Sequence, residues 1–138
     1  MINGLKKINV KITGSSELGE TVTEAKGTLT EDEGSVVITY YEKFEGDSVA
    51  TKSILTIKGG EVYLEKSGGV KAAMVFSHGK SHEVLYDTGA GRIPMKMTTD
   101  KVFTKLHEDG ADVELEYTIS FGPGNEAKNS LKLVARYM

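Results

Sequence analysis

"VELEYTISF", residues 113–121, decides the fold. Val113, Leu115, Tyr117, Ile119 and Phe121 alternate with Glu114, Glu116, Thr118 and Ser120, which puts one set on a dry face and the other on a wet one. That is the period of an antiparallel strand with one solvated face. Leu131, Leu133, Ala135 and Tyr137 repeat it near the C-terminus, across "GPGNEAKNS" (122–130), which reads as a long hairpin loop. At the other end Ile8, Val10 and Ile12 do the same. "MINGLKKINVKI" therefore reads as a first strand and not as a signal peptide, because no apolar run or cleavage site follows its lysines.

Between these ends the segments at 21–30, 35–42, 49–58, 61–66, 70–78, 82–88 and 92–99 read as further strands, and "KVFTKLHE" (101–108) as a poorly periodic one. Turn signals separate them at Asp32-Glu33-Gly34, Glu45-Gly46-Asp47, Gly59-Gly60, Gly68-Gly69, Gly79-Lys80 and Gly89-Ala90-Gly91. The 16 glycines and only 2 prolines suit many tight turns. No window supports an amphipathic helix. So many short strands would leave long exposed edges in a flat sheet, and closure removes them. The expectation is an all-β, single-domain, antiparallel up-and-down barrel of about eight to ten strands spanning 1–138, with a two-sheet sandwich as the alternative.

Composition narrows the function. At 138 residues the chain has the size of one domain with a core of its own. It contains no cysteine, which excludes disulfides, thiolate zinc sites and a cysteine nucleophile, and suits a reducing compartment such as the cytoplasm. The net charge is -3, with 17 basic and 20 acidic residues interspersed, so the basic stripe of a nucleic-acid binder is missing. No apolar stretch approaches the roughly 20 residues of a membrane helix. A soluble protein without nucleic-acid or membrane partners is expected.

Three motifs suggest chemistry. "LYDTGA" (85–90) spells the signature of retroviral-type aspartic proteases, whose mechanism needs two aspartates sharing one proton and hence a dimer of such chains. The element that cradles the active-site loop in those enzymes is not supplied after Asp87. If Val84 and Tyr86 face inward, Asp87 faces out and "TGAG" is a turn. "MVFSHGKS" (74–81) ends like a phosphate loop, but Met74 stands where a glycine is required and a strand follows instead of a helix. His78 and His82 would face each other across a three-residue turn at the rim of the apolar face. A catalytic zinc site needs three protein ligands, and no carboxylate has a fixed place beside these two. No metal, cofactor or catalytic residue is therefore assigned.

The tyrosines Tyr40, Tyr86, Tyr117 and Tyr137 fall on apolar faces, where each phenol must find a partner or open onto water. Met74, Met95 and Met97 supply pliable filling for the same interior. A fatty-acid-binding barrel is comparable in length, but its terminal arginine and tyrosine stand two apart and point inward together. Arg136 and Tyr137 are adjacent and point to opposite faces.

Taken in order, "KINVKITGS", "VVITYYE", "MVFSHG", "LYDTGAGRIPMKMTT", "ADVELEYTISFG" and "NSLKLVARY" resemble the YwiB-like family of bacterial proteins. The resemblance implies a cytoplasmic calycin-type, lipocalin-like barrel without an assigned reaction, and it carries over no catalytic residues. The expected function is binding of a small, partly apolar molecule in the interior or mouth, by Met74, Phe76, His78, His82, Tyr86, Met95, Met97 and Tyr117. The alternative is a solid barrel whose surface or loops, such as "FGPGNEAKNS", bind a protein partner or a second copy.

Overall fold

The strands form where polar and apolar residues alternate, and each begins or ends at a turn residue. The computed structural model describes residues 5–43, 49–87 and 90–138. Its strands are β1 (Lys6–Ser16), β2 (Gly19–Asp32), β3 (Ser35–Glu42), β4 (Thr51–Lys58) and β5 (Glu61–Ser67), followed by β6 (Ala72–Phe76), β7 (Ser81–Asp87), β8 (Arg92–His107), β9 (Gly110–Ser120) and β10 (Glu126–Tyr137). No helix occurs among the described residues. The turn expected at Glu45-Gly46-Asp47, and Thr88-Gly89 of the protease-like motif, lie outside them.

All ten strands belong to one antiparallel sheet in the order β6-β5-β4-β3-β2-β1-β10-β9-β8-β7. The chain is a meander whose terminal strands pair, Ile8 with Tyr137 through to Ser16 with Asn129. The seam of this nearly closed barrel falls mid-chain, between β6 and β7. There one bridge joins the edges, with Lys71 N donating to Asp87 O at 2.8 Å and Asp87 N to Lys71 O at 2.9 Å. The up-and-down barrel expectation holds.

Inward faces carry the core. Ile8, Val10 and Ile12, Val36 and Ile38, Leu55 and Ile57, Val62 and Leu64, Val113 and Leu115, and Leu133 and Ala135 are buried together. The outer wall is charged and cross-paired: Lys101 approaches Glu114 at 3.4 Å and Glu116 at 3.7 Å, and Arg136 donates to Asp112 at 2.8 Å. Paired opposite charges of this kind fix register more than they add stability.

Two expectations are corrected. The segments 92–99 and 101–108 form one strand, β8, with a bulge between Thr99 and Lys101. Asp100 is the extra residue, so inward positions run Met97, Thr99 and then Val102, and the alternation breaks at that point. The loop 122–130 is also shorter than expected. A turn closes at Phe121–Asn125, where Asn125 N donates to Gly122 O at 3.0 Å, and "EAKNS" belongs to β10.

Candidate functional site

In a meander, alternate hairpins crowd one end of the barrel. The β1–β2, β3–β4, β5–β6, β7–β8 and β9–β10 connections share an end, here called the mouth. The last inward residues of β3, β4 and β5 at this end are polar. Glu42 continues the inward set Val36, Ile38 and Tyr40; Thr51 and Ser53 precede Leu55 and Ile57; Lys66 follows Val62 and Leu64.

Pairing brings them together. Tyr40 pairs with Ser53, Ser53 with Lys66, and Glu42 with Thr51. Lys66 Nζ donates to Glu42 Oε1 at 3.1 Å and to Ser53 Oγ at 3.2 Å, and Ser53 Oγ donates to Glu42 Oε1 at 3.3 Å. Glu42 is 6% exposed, Ser53 0% and the Lys66 side chain 17%, so this is an ion pair enclosed by the barrel wall. A charge so placed persists only when paired and hydrogen-bonded.

Two tyrosines, Tyr40 and Tyr86, lie near the pair, and a third, Tyr117, lies near Tyr86. Burial, then the nearby Glu42 carboxylate, holds the Tyr40 hydroxyl well above the usual phenol range, with a Ser53 hydrogen bond opposing. Tyr86 is pushed up by burial and next by Glu42, and Tyr117 by burial and next by Tyr86. All three phenols are therefore neutral at physiological pH. Tyr86 is half-buried on β7 and pairs with Ile93 of β8. β8 meets β9 only from Lys96 onward, so Arg92–Met95 runs past the end of β9, paired with β7 alone. The Lys71–Asp87 bridge sets Tyr86 and its partner Ile93 level with Ala72 and Lys66, and Met95, which pairs with Val84, lies one row further in. On the far side a cleft of about 160 Å³ is lined by Gly14, Ser16, Thr21, Tyr117 and Asn129 among others.

The residues expected to form a site separate into groups. Met74, Tyr86, Met95 and Tyr117 are half-buried, inward and packed against the core. Phe76 and Met97 are 1% exposed and belong to the packed interior, Phe76 meeting Tyr117 edge-on at 5.2 Å between ring centroids. The histidine pair is not assembled as expected. His78 is exposed in the turn Ser77–Lys80, at the end opposite the mouth, and the strands on either side of that turn are not laddered. His82 pairs with Met97 instead. Its Nε2 is buried without a hydrogen bond from the described residues.

No group of three or more metal-ligating side chains occurs among the described residues. Asp87 bridges to Lys71 through its backbone and lies 3.7 Å from Arg92, an arrangement that fixes a hairpin end. Glu42, Ser53 and Lys66 were missed by sequence reasoning. The signal was present, since each sits two residues from a buried apolar neighbour on its own strand, but polar residues at strand ends read as turn approaches.

The comparisons with known proteins agree with this barrel. Residues 7–133 match the family described as a domain of unknown function, DUF1934. The uncharacterized β-barrel protein YwiB of Bacillus subtilis (strain 168) is 27% identical over 101 residues, 73% of this chain and 70% of that protein. The crystal structure of the ywiB protein from Bacillus subtilis superposes with a TM-score of 0.87 at 20% identity, covering 99% of this chain and 95% of that one. No helix among the described residues is long and apolar enough to cross a membrane. The chain belongs to the DUF1934 family, that of the YwiB-like β-barrels.

Proposed function

We propose that this protein is a cytoplasmic, calycin-like binding barrel that takes a small, partly apolar molecule into its mouth. The observation that carries the reading is the enclosed Glu42–Lys66 pair, level with the half-buried Tyr86 and with the half-buried Met74 and Met95 one inward row deeper. Replacing a buried ion pair with apolar side chains is often neutral or stabilising, so a barrel packed for stability alone gains little from keeping one. A concavity with apolar walls and a few convergent polar groups is the usual composition of a small-molecule site. Met74, Tyr86, Met95 and Tyr117 are its apolar contacts in this reading. Phe76 and Met97 support them from below, and the two histidines take no part.

The test is native against denaturing mass spectrometry of the protein purified from its own host. An excess mass lost on denaturation is the expected result. A bare, fully folded chain would favour the second reading, in which the outer wall docks a protein or a second copy. That reading has its own observation: Leu85, Pro94 and Phe121 are exposed around a groove of about 480 Å³.

A further inference from the structure

The chemistry of the enclosed pair narrows what the mouth can hold. Lys66 has three N–H donors; the described residues accept two of them, Glu42 Oε1 and Ser53 Oγ. Both of the hydrogen bonds that Glu42 receives from described residues go to Oε1, which leaves Oε2 with its lone pairs. Among the described residues the pair thus keeps one spare donor and one spare acceptor on adjacent groups, while its net charge is zero. Tyr40, Tyr86 and Tyr117 add hydroxyls without adding charge.

We infer that the mouth selects a ligand whose polar head is uncharged overall and carries a donor beside an acceptor, as a primary amide or lactam does, on an apolar or aromatic body. The inference rests on the mouth-binding reading above. A carboxylate head would meet Lys66 together with the unspent oxygen of Glu42, and an ammonium head would meet Glu42 together with Lys66. Either charged head loses its hydration and receives attraction and repulsion of similar size in return. An amide loses less hydration and completes both spare valences. The body has apolar surface to meet in Met74, Met95 and the Tyr86 ring, all half-buried.

The experiment uses the intact protein with N-phenyl-1-naphthylamine, a neutral apolar fluorescent reporter, and three displacing probes that share one body: 2-naphthamide, 2-naphthoate and 2-naphthylmethylammonium. At neutral pH the amide should displace the reporter at a concentration about tenfold or more below either charged probe, the scale of one hydrogen bond to a charged group. Glu42→Gln keeps the shape and leaves Lys66 uncompensated, so the order should change in favour of 2-naphthoate. Equal displacement by the three probes, or an order unchanged in Glu42→Gln, would overturn the head-group inference and leave the mouth reading standing. Failure of the wild-type protein to take up the reporter or any probe would remove both. The wild-type comparison decides the matter even if the variant does not fold.

Discussion

Glu42 on β3 and Lys66 on β5 meet at 3.1 Å across the intervening β4, with Ser53 of that strand bonded to both. Three neighbouring strands therefore place one polar atom cluster inside the barrel, and its energetics depend on all three members. Removing one partner strands the other charge in a poorly solvated site. Lys66→Met should cost about 3 kcal/mol, near the low end for a broken buried pair because Lys66 retains some exposure. Glu42→Leu with Lys66→Met together should recover most of that loss. Urea unfolding of the two single variants and the double supplies the cycle. A double variant as weak as the sum of the singles would mean the pair is not coupled.

On the outer wall, Asp112 receives a hydrogen bond from Arg136 at 2.8 Å and lies 3.4 Å from His107 Nε2. The Arg136 bond is the main reason its carboxyl sits below the usual range, partly opposed by burial. A carboxyl depressed on folding adds stability above its unfolded pKa and loses it as the pH falls through the folded value. Asp112→Asn should accordingly be less stable than wild type at neutral pH, by under about 1 kcal/mol for so exposed a pair. The difference should close in strong acid. Urea midpoints of both proteins from neutral pH down to about pH 3, below the ordinary aspartate value, measure this. A gap that widens toward acid contradicts the assignment.

Gly27 pairs with Tyr40 in the same inward row as Ser53 and Lys66. A Cβ built there would lie 2.1 Å from the Thr39 carbonyl oxygen and 3.1 Å from Tyr40 Cβ. Backbone cannot yield as a side chain tip does, so β2 and β3 would have to separate where Tyr40 packs. Gly27→Ala should cost about 3 kcal/mol, at the upper end of ordinary overpacking. Gly34→Ala is the control, since its Cβ would meet nothing and only its positive φ is strained. Equal melting losses in the two variants would show that the close approach at Gly27 is not what selects glycine.

The architecture was legible because period-2 alternation survives in most strands: 35–42 was read with the boundaries it has. What hid the remainder was physical. The Asp100 bulge places two outward residues in succession and breaks the alternation of β8. At the mouth the inward face turns polar, so Asn129 and Ser16 look like loop residues although they pair across β1 and β10. For the same reason the site was only half visible. Apolar Met74, Tyr86, Met95 and Tyr117 announce an inward face, whereas Glu42 and Lys66 become a pair only once register aligns three strands. His78 and His82 misled because a tight turn between apolar segments usually makes a ladder, and this one sits beside the seam.

The fully buried Thr99 provides the most direct test of the interior. It lies inward on β8, opposite Tyr117 of β9, is 0% exposed, and its Oγ1 has no hydrogen-bond partner among the described residues. A buried hydroxyl without a partner has lost its hydration and gained nothing in exchange, a cost of about 1–3 kcal/mol. Thr99→Val replaces that hydroxyl with a methyl group of similar volume and keeps the β-branch that suits a strand. The substitution should therefore stabilise the barrel by about 1 kcal/mol, against the usual destabilising direction of core changes. Thermal unfolding of Thr99→Val beside Thr99→Ser separates the two contributions, since serine keeps the hydroxyl and loses only the methyl. A valine variant less stable than wild type would mean that Oγ1 is hydrogen-bonded in solution, and Thr99 would then join the polar interior with Glu42, Ser53 and Lys66.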